Sequence, residues 1–314
     1  MPVNGTLEEI LKMAVEADAS DVHLTVGASP RMRVRGKLVE MDLPRLQPTD
    51  TLDVLVGIME DVQRQQFEDR GEYDMALSVS EEIRCRVNAY KQRGNVSLAF
   101  RLITPRVPSL ESLGAPESVH QLAGLQKGLV LVTGPVGSGK TTTLAAIVDQ
   151  INKSREAHVI TLESPIEYLH VHGLSIVDQR EIGLDSRSYG QALRSALRED
   201  PDVIMVGELS DGDTVCAALD AAEAGCLIFT AVAASGANGA LDYLLNRFPD
   251  GQQQQIRGRL AGVLQSVVVQ RLVPREDGSR GLSYEVLRVT DATRASLRGA
   301  KGGSAAAQTV RKTT

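Results

Sequence analysis

The segment Gly134-Pro135-Val136-Gly137-Ser138-Gly139-Lys140-Thr141 constrains this chain more than any other. It fills the pattern G-x-x-x-x-G-K-[ST] at every position, and its surroundings fit as well. The apolar run Leu129-Val130-Leu131-Val132-Thr133 leads in, and Thr142-Thr143-Leu144-Ala145-Ala146-Ile147 leads out as a helix. Glycines let the backbone curl until its N–H groups converge on an anion, and the following helix turns its positive end to the same point. The motif therefore predicts a strand, a loop that cradles nucleotide phosphates, and a helix. Lys140 is expected to neutralise the β- and γ-phosphates, and Thr141 to ligate Mg²⁺ together with phosphate oxygens and water. Gly134, Pro135, Val136, Gly137, Ser138, Gly139, Lys140, Thr141 and Thr142 are the candidate nucleotide contacts. ATP is expected rather than GTP, because Asn152-Lys153-Ser154-Arg155 lacks the Asp of an N-K-x-D base-reading motif.

The rest of the chain bounds the setting of that loop. Its 314 residues allow two domains at ~150 residues each. Apolar residues at 42% and charged residues at 24% suit a packed core. Forty acids against 34 bases give a net charge of −6, which argues against a nucleic-acid partner. No apolar run reaches the ~20 residues of a membrane span. Met1-Pro2-Val3-Asn4-Gly5 does not open a secretory leader. Cys85, Cys216 and Cys226 form no C-x-x-C pair, so free buried thiols and a cytoplasmic location are expected.

Hydrophobic spacing divides the chain. Residues 7–17 and 48–69 read as helices. Strands are expected at 20–27, 73–79, 83–91 and 96–103, with a hairpin over 32–39. This describes a small α+β domain over 1–104. The prolines of Thr104-Pro105-Arg106-Val107-Pro108-Ser109 open a linker over 105–118. Strands at 128–133, 158–162, 175–178, 203–206 and 227–232 then alternate with helices at 140–152, 187–198, 212–223, 237–247 and 251–270. That alternation predicts an α/β domain over 119–294 with a mostly parallel sheet. The basic stretch 295–314 lacks apolar periodicity and is expected to be disordered.

Two strands run into acids: Val203-Ile204-Met205-Val206 into Gly207-Glu208, and Val159-Ile160-Thr161-Leu162 into Glu163. Parallel strands deliver their carboxyl ends to one crevice, so both carboxylates are expected near Lys140. Glu208 is the candidate for activating an attacking water, and Glu163 for assisting it through the metal shell or a second water.

Longer stretches carry a family resemblance. Leu197-Arg198-Glu199-Asp200-Pro201-Asp202 leading into Val203–Glu208 resembles the Walker B region of the type II/IV secretion ATPases. Thr161-Leu162-Glu163-Ser164-Pro165-Ile166-Glu167-Tyr168 is similar to their acidic box, and Val177-Asp178-Gln179-Arg180-Glu181-Ile182-Gly183 to the strand that follows. Ala19–Leu24 and Arg84–Tyr90 resemble the N-terminal domain of the PilT-like type IV pilus motors. The resemblance implies an α/β, RecA-like P-loop ATPase domain preceded by a PAS-like α+β domain. It implies a homohexamer that hydrolyses ATP to drive pilus retraction and twitching motility, docked on an inner-membrane platform protein at the membrane's cytoplasmic face. Arg86 and Arg101 match arginines that help complete the family's nucleotide site.

The sequence also departs from that family. Ser164 stands in an Asp place, and Gly207-Glu208-Leu209-Ser210-Asp211 lacks an Arg. Gly225-Cys226-Leu227 and Val232-Ala233-Ala234 replace the two histidines of its His box. Asp291–Lys301 is a reduced form of its retraction segment, and the C-terminal helices are shortened to a tail. Two readings follow: an ATP-hydrolysing motor, weakened to some degree, or a nucleotide-binding regulatory paralogue that works beside a complete motor.

Overall fold

A computed structural model describes residues 6–80, 83–103, 107–274, 280–299 and 308–313. The chain forms two compact units. One takes the chain up to 106 plus Glu167–Leu169, and the other takes Val107–Ile166 and everything from His170.

In the N-terminal unit α1 (Thr6–Glu16) is followed by β1 (Ala19–Leu24) and a hairpin of β2 (Arg31–Val34) and β3 (Lys37–Glu40). Then come α2 (Pro48–Ile58), α3 (Asp61–Arg70), β4 (Glu72–Ser78), β5 (Arg84–Gln92) and β6 (Asn95–Ile103). The strands make one antiparallel sheet in the order β3-β2-β1-β6-β5-β4. Leu11, Leu55 and Phe67 from the helices share a core with Val22, Val87 and Phe100 from the strands. The single helix expected over 48–69 is two. The backbone is extended at Met59 and Glu60, and Glu60 and Gln63 form a capping box that starts α3 afresh.

The C-terminal unit opens with the short α4 (Glu117–His120) and a tight turn at Gln121–Gly124. β7 (Gly128–Thr133), α5 (Lys140–Ser154), β8 (His158–Glu163), β9 (Ile176–Glu181), α6 (Tyr189–Ala196), β10 (Val203–Val206) and α7 (Gly212–Ala224) follow. Then come β11 (Leu227–Val232), α8 (Gly236–Leu245), α9 (Asp250–Val263), β12 (Leu264–Pro274), β13 (Arg280–Arg288), α10 (Asp291–Gly299) and β14 (Gln308–Thr313). Eight strands make one sheet, β14-β13-β12-β7-β11-β10-β8-β9. From β12 to β9 it is parallel, and β13 and β14 add antiparallel strands at one side.

β7 is buried at every residue. Its side chains alternate between the sheet's two faces. Leu129 and Leu131 join α6, α7, α8 and α9 in one core, and Val130 and Val132 join α4 and α5 in the other. A strand covered by helices on both faces needs an unbroken apolar run, which is what 129–132 supplies.

Three expectations change here. The helix expected over 251–270 ends at Val263, and the chain continues straight into β12. The Val267-Val268-Val269 run pairs in parallel with β7, where β-branched side chains fit the pleat and tertiary pairing overrides helical periodicity. Leu110 and Ala115, in the stretch read as linker, are buried in the core of this unit, whereas residues 104–106 lie outside the described residues. Disorder was expected from 295, but α10 continues to Gly299 with Leu297 buried, and β14 pairs with β13. Residues 300–307 and 314 lie outside the described residues.

His158 pins the start of β8. Its Nδ1 lies 2.9 Å from the carbonyl of Glu199 and its Nε2 3.0 Å from Asp178 on β9. Burial alone would lower this imidazole's pKa, but acceptors at both nitrogens hold it above the ordinary histidine range. Stability from this contact is full below pH ~6.5 and lost as pH rises through the raised folded value. Denaturant midpoints at pH 6 and pH 8 should show a loss below about 1 kcal/mol that His158→Gln removes.

Candidate nucleotide-binding site

The parallel strands β7, β11, β10 and β8 end together at one edge of the sheet, and the candidate residues gather there. Left-handed backbone at Gly137 and Gly139 bends the 134–139 loop, and α5 begins directly at Lys140 with Gly139 as its N-cap. A Cβ on Gly134 would stand against the Gln270 carbonyl and 2.7 Å from Ser138 Oγ. Gly134→Ala is therefore expected to cost ~1–3 kcal/mol by forcing backbone apart, read as a lower melting temperature with lost nucleotide binding.

Lys140 Nζ donates to the carbonyls of Gly134 and Pro135 at 3.0 and 2.9 Å. Burial lowers its pKa, and the Glu208 carboxylate opposes that shift. The ammonium thus sits at the loop with a counter-charge within electrostatic reach. Ionised phosphate oxygens are stronger acceptors than the carbonyls that hold it.

Glu163 and Glu208 come to this edge on neighbouring strands. β8 and β10 pair Leu162 with Val206, and Gly207 N–H continues the ladder to Leu162 at 2.8 Å. Glu163 is 5% exposed and accepts from Thr161 Oγ1 at 2.6 Å and Gln179 Nε2 at 3.1 Å. Glu208 is exposed, with Tyr243 Oη donating to it at 3.4 Å. The pair is unequal: one carboxylate is fixed and desolvated, and the other is free to meet solvent.

Tyr189 was not singled out by the sequence. Its hydroxyl lies 3.1 Å from where a Gly207 Cβ would be. Burial and the charges of Glu208, Glu163 and Glu181 raise its pKa, so the phenol stays protonated as a donor. Gln179 and Gln270 were missed too, the latter because it fell inside an expected helix.

Cys226 and Ala233, the places to which the resemblance assigns histidines, lie apart. Ala233 follows β11 directly beside the loop, where Thr133 Oγ1 donates to the Ala234 carbonyl at 2.9 Å. Cys226 precedes β11, and its thiol points to the Pro201 carbonyl at 3.4 Å. Six residues of strand, about 20 Å, separate Cys226 from the crevice.

Arg86 and Arg101 belong to the N-terminal unit, opposite each other in the register of β5 and β6. Asp21 pairs with Arg101 at 3.0 Å, and Asp74 lies 3.9 Å from Arg86. Two like charges on one face are offset by these acids. Among the described residues no cluster of three or more His, Cys, Asp or Glu is arranged to hold a metal, and no helix is long and apolar enough to cross a membrane.

A glycine loop between a buried parallel strand and a helix, with two glutamates at the same sheet edge, defines an α/β protein of the P-loop nucleotide-binding class. Within that class, the chain belongs to the type II/IV secretion system protein family, whose model matches residues 1–313. It is 39% identical over 292 residues to the type IV pilus retraction ATPase PilT of Pseudomonas aeruginosa, covering 93% of this chain and 85% of that protein. It is 39% identical over 281 residues to the type IV pilus ATPase PilU of the same organism, covering 89% and 74%. A crystal structure of the pilus retraction motor PilT with bound ADP superposes with a TM-score of 0.88 at 44% identity, covering 93% and 85%.

Proposed function

We propose that this protein is an ATP-hydrolysing motor subunit of a type IV pilus system, of the PilT-like retraction kind. The observation that carries the reading is that Lys140, just past β7, and Glu163 and Glu208, at the ends of the neighbouring β8 and β10, gather at the carboxyl edge of one parallel sheet. In this reading the loop N–H groups and Lys140 bind the phosphates and balance their charge. Glu208, the solvent-reaching carboxylate, orients the attacking water and takes its proton, and Glu163 holds the neighbouring hydrogen-bonded frame. Thr141, at the first turn of α5, is the candidate Mg²⁺ ligand; the bound ion would draw charge from the phosphate oxygens. Arg86 and Arg101 add fixed positive charge to a nucleotide site completed in a homohexameric ring. The ring would stand against an inner-membrane platform protein and transmit nucleotide-driven domain closure to the pilus base.

A second reading rests on one observation. Ala233, directly beside the loop, offers no side-chain donor, at a place to which the resemblance assigns a histidine. A missing preorganised donor costs ~10²–10³ in rate, which would suit a regulatory paralogue that binds ATP and turns it over poorly beside a complete motor.

Steady-state phosphate release from Mg-ATP by the full chain, beside Lys140→Ala, separates the two. Turnover clearly above the variant supports the motor. Equal turnover with ATP still bound by the unaltered chain supports the paralogue. Absence of nucleotide binding overturns both.

A further inference from the structure

Gln270 has no part in the chemistry proposed above, yet its contacts converge on the phosphate loop. It is 0% exposed, on β12 beside β7. Its Nε2 donates to the Ser138 carbonyl at 2.7 Å. Its own carbonyl stands where a Gly134 Cβ would be, and its Nε2 lies 3.1 Å from where a Gly139 Cβ would be. One side chain and its backbone thus touch both ends of the loop.

The bond to Ser138 has a directional consequence. The Ser138–Gly139 peptide is planar, so its N–H points opposite to its carbonyl. Drawing the carbonyl toward β12 turns the Gly139 N–H away from β12, and Gly139 sits at φ +81°, where L side chains are strained. The arrangement is not ordinary core packing. Gln270 Oε1 and the Ser138 hydroxyl are both buried without a hydrogen-bond partner, a cost an apolar side chain would avoid. On the neighbouring strand β13, Tyr284 stands opposite Gln270 in register, with its hydroxyl 3.5 Å from Thr143 Oγ1 in the first turn of α5. Leu282 lies 3.7 Å from the Gly139 Cβ position.

We infer that Gln270 is a positioning residue for nucleotide binding: it fixes the Ser138–Gly139 peptide in the orientation that presents the loop N–H to phosphate. This rests on the reading that the loop holds a nucleotide. Gln270 acts through the loop, so it governs affinity and KM rather than the chemical step.

The test is ADP binding by the full chain carrying Gln270→Met or Gln270→Glu, with Mg-ATP kinetics alongside. Methionine keeps the length and removes the donor, and is expected to weaken ADP binding at least tenfold and raise KM, with kcat within threefold. Glutamate donates only when protonated, and burial favours that form. Its ADP affinity should therefore rise as pH falls from 8.5 to 6.0, by at least threefold more than that of the unaltered chain. A general packing defect would not produce that pH response. Methionine binding ADP within twofold of the unaltered chain, or a fall in kcat at unchanged KM, overturns the proposal. Should the methionine variant fail to fold, the glutamate pH series decides, and a flat response overturns the proposal. An unaltered chain that binds no ADP removes the nucleotide reading and this proposal together, whereas normal binding by both variants removes this proposal alone.

Discussion

Lys140→Ala is expected to lower kcat/KM for Mg-ATP by at least ~10³-fold, the scale on which fixed charges aimed at transferring phosphates act. The reason is local. The ammonium is the loop's own cation, held by the Gly134 and Pro135 carbonyls at the start of α5. Alanine leaves the helix intact, since it is the best helix former, and removes only the charge and its donors. Those donors meet phosphate in the ground state as well as in the transition state. Nucleotide affinity should therefore fall together with turnover. Titration with ADP beside the turnover assay checks both, and an alanine variant that kept its affinity would refute the role.

Glu208→Gln should behave differently. Turnover is expected to drop ~10²–10⁴-fold, as when a general base is lost, while ADP affinity holds or improves. An amide keeps an oxygen for the Tyr243 hydroxyl but does not take a proton from water. It also removes the negative charge that sits within electrostatic range of Lys140, so the loop becomes more attractive to an anion. Glu163→Gln makes a poorer test, because the Glu163 carboxylate already accepts from Thr161 and Gln179 in a buried setting. Turning an amide N–H toward those donors costs ~1–3 kcal/mol in stability, which mixes folding with chemistry. Equal losses of ADP binding and turnover in Glu208→Gln would refute its assignment as the base.

What the sequence revealed follows from how local each signal is. The phosphate loop is legible because its glycines, Lys140 and Thr141 are demanded by backbone shape and charge within eight consecutive residues. Glu163 and Glu208 are legible because apolar runs stop at them and parallel strands end at a common edge. Gln270 carries no such mark. It stands 132 positions from its partner Ser138, at the end of a valine run that follows a glutamine-rich helix without a break. The start of β12 at Leu264 is set by pairing with β7, a contact that periodicity does not contain. α2 and α3 merged in the reading for a related reason: the stop at Met59 rests on backbone extension and a reciprocal cap, not on glycine or proline. Cys226 and Ala233 illustrate the converse limit. By the resemblance Cys226 and Ala233 are equal departures, but one precedes β11 and the other follows its end, so only Ala233 borders the loop.

The placement of β12 also bears on the order of events during synthesis. β7 and the loop leave the ribosome more than a hundred residues before Gln270 does. Until β12 emerges, β7 has only one of its two strand partners, β11. A nascent chain halted before Leu264 would carry the whole glycine motif yet lack the strand that shapes it. On the proposed role of the loop, competence to capture nucleotide would arrive late in translation, after β7 to β11 are already outside the exit tunnel.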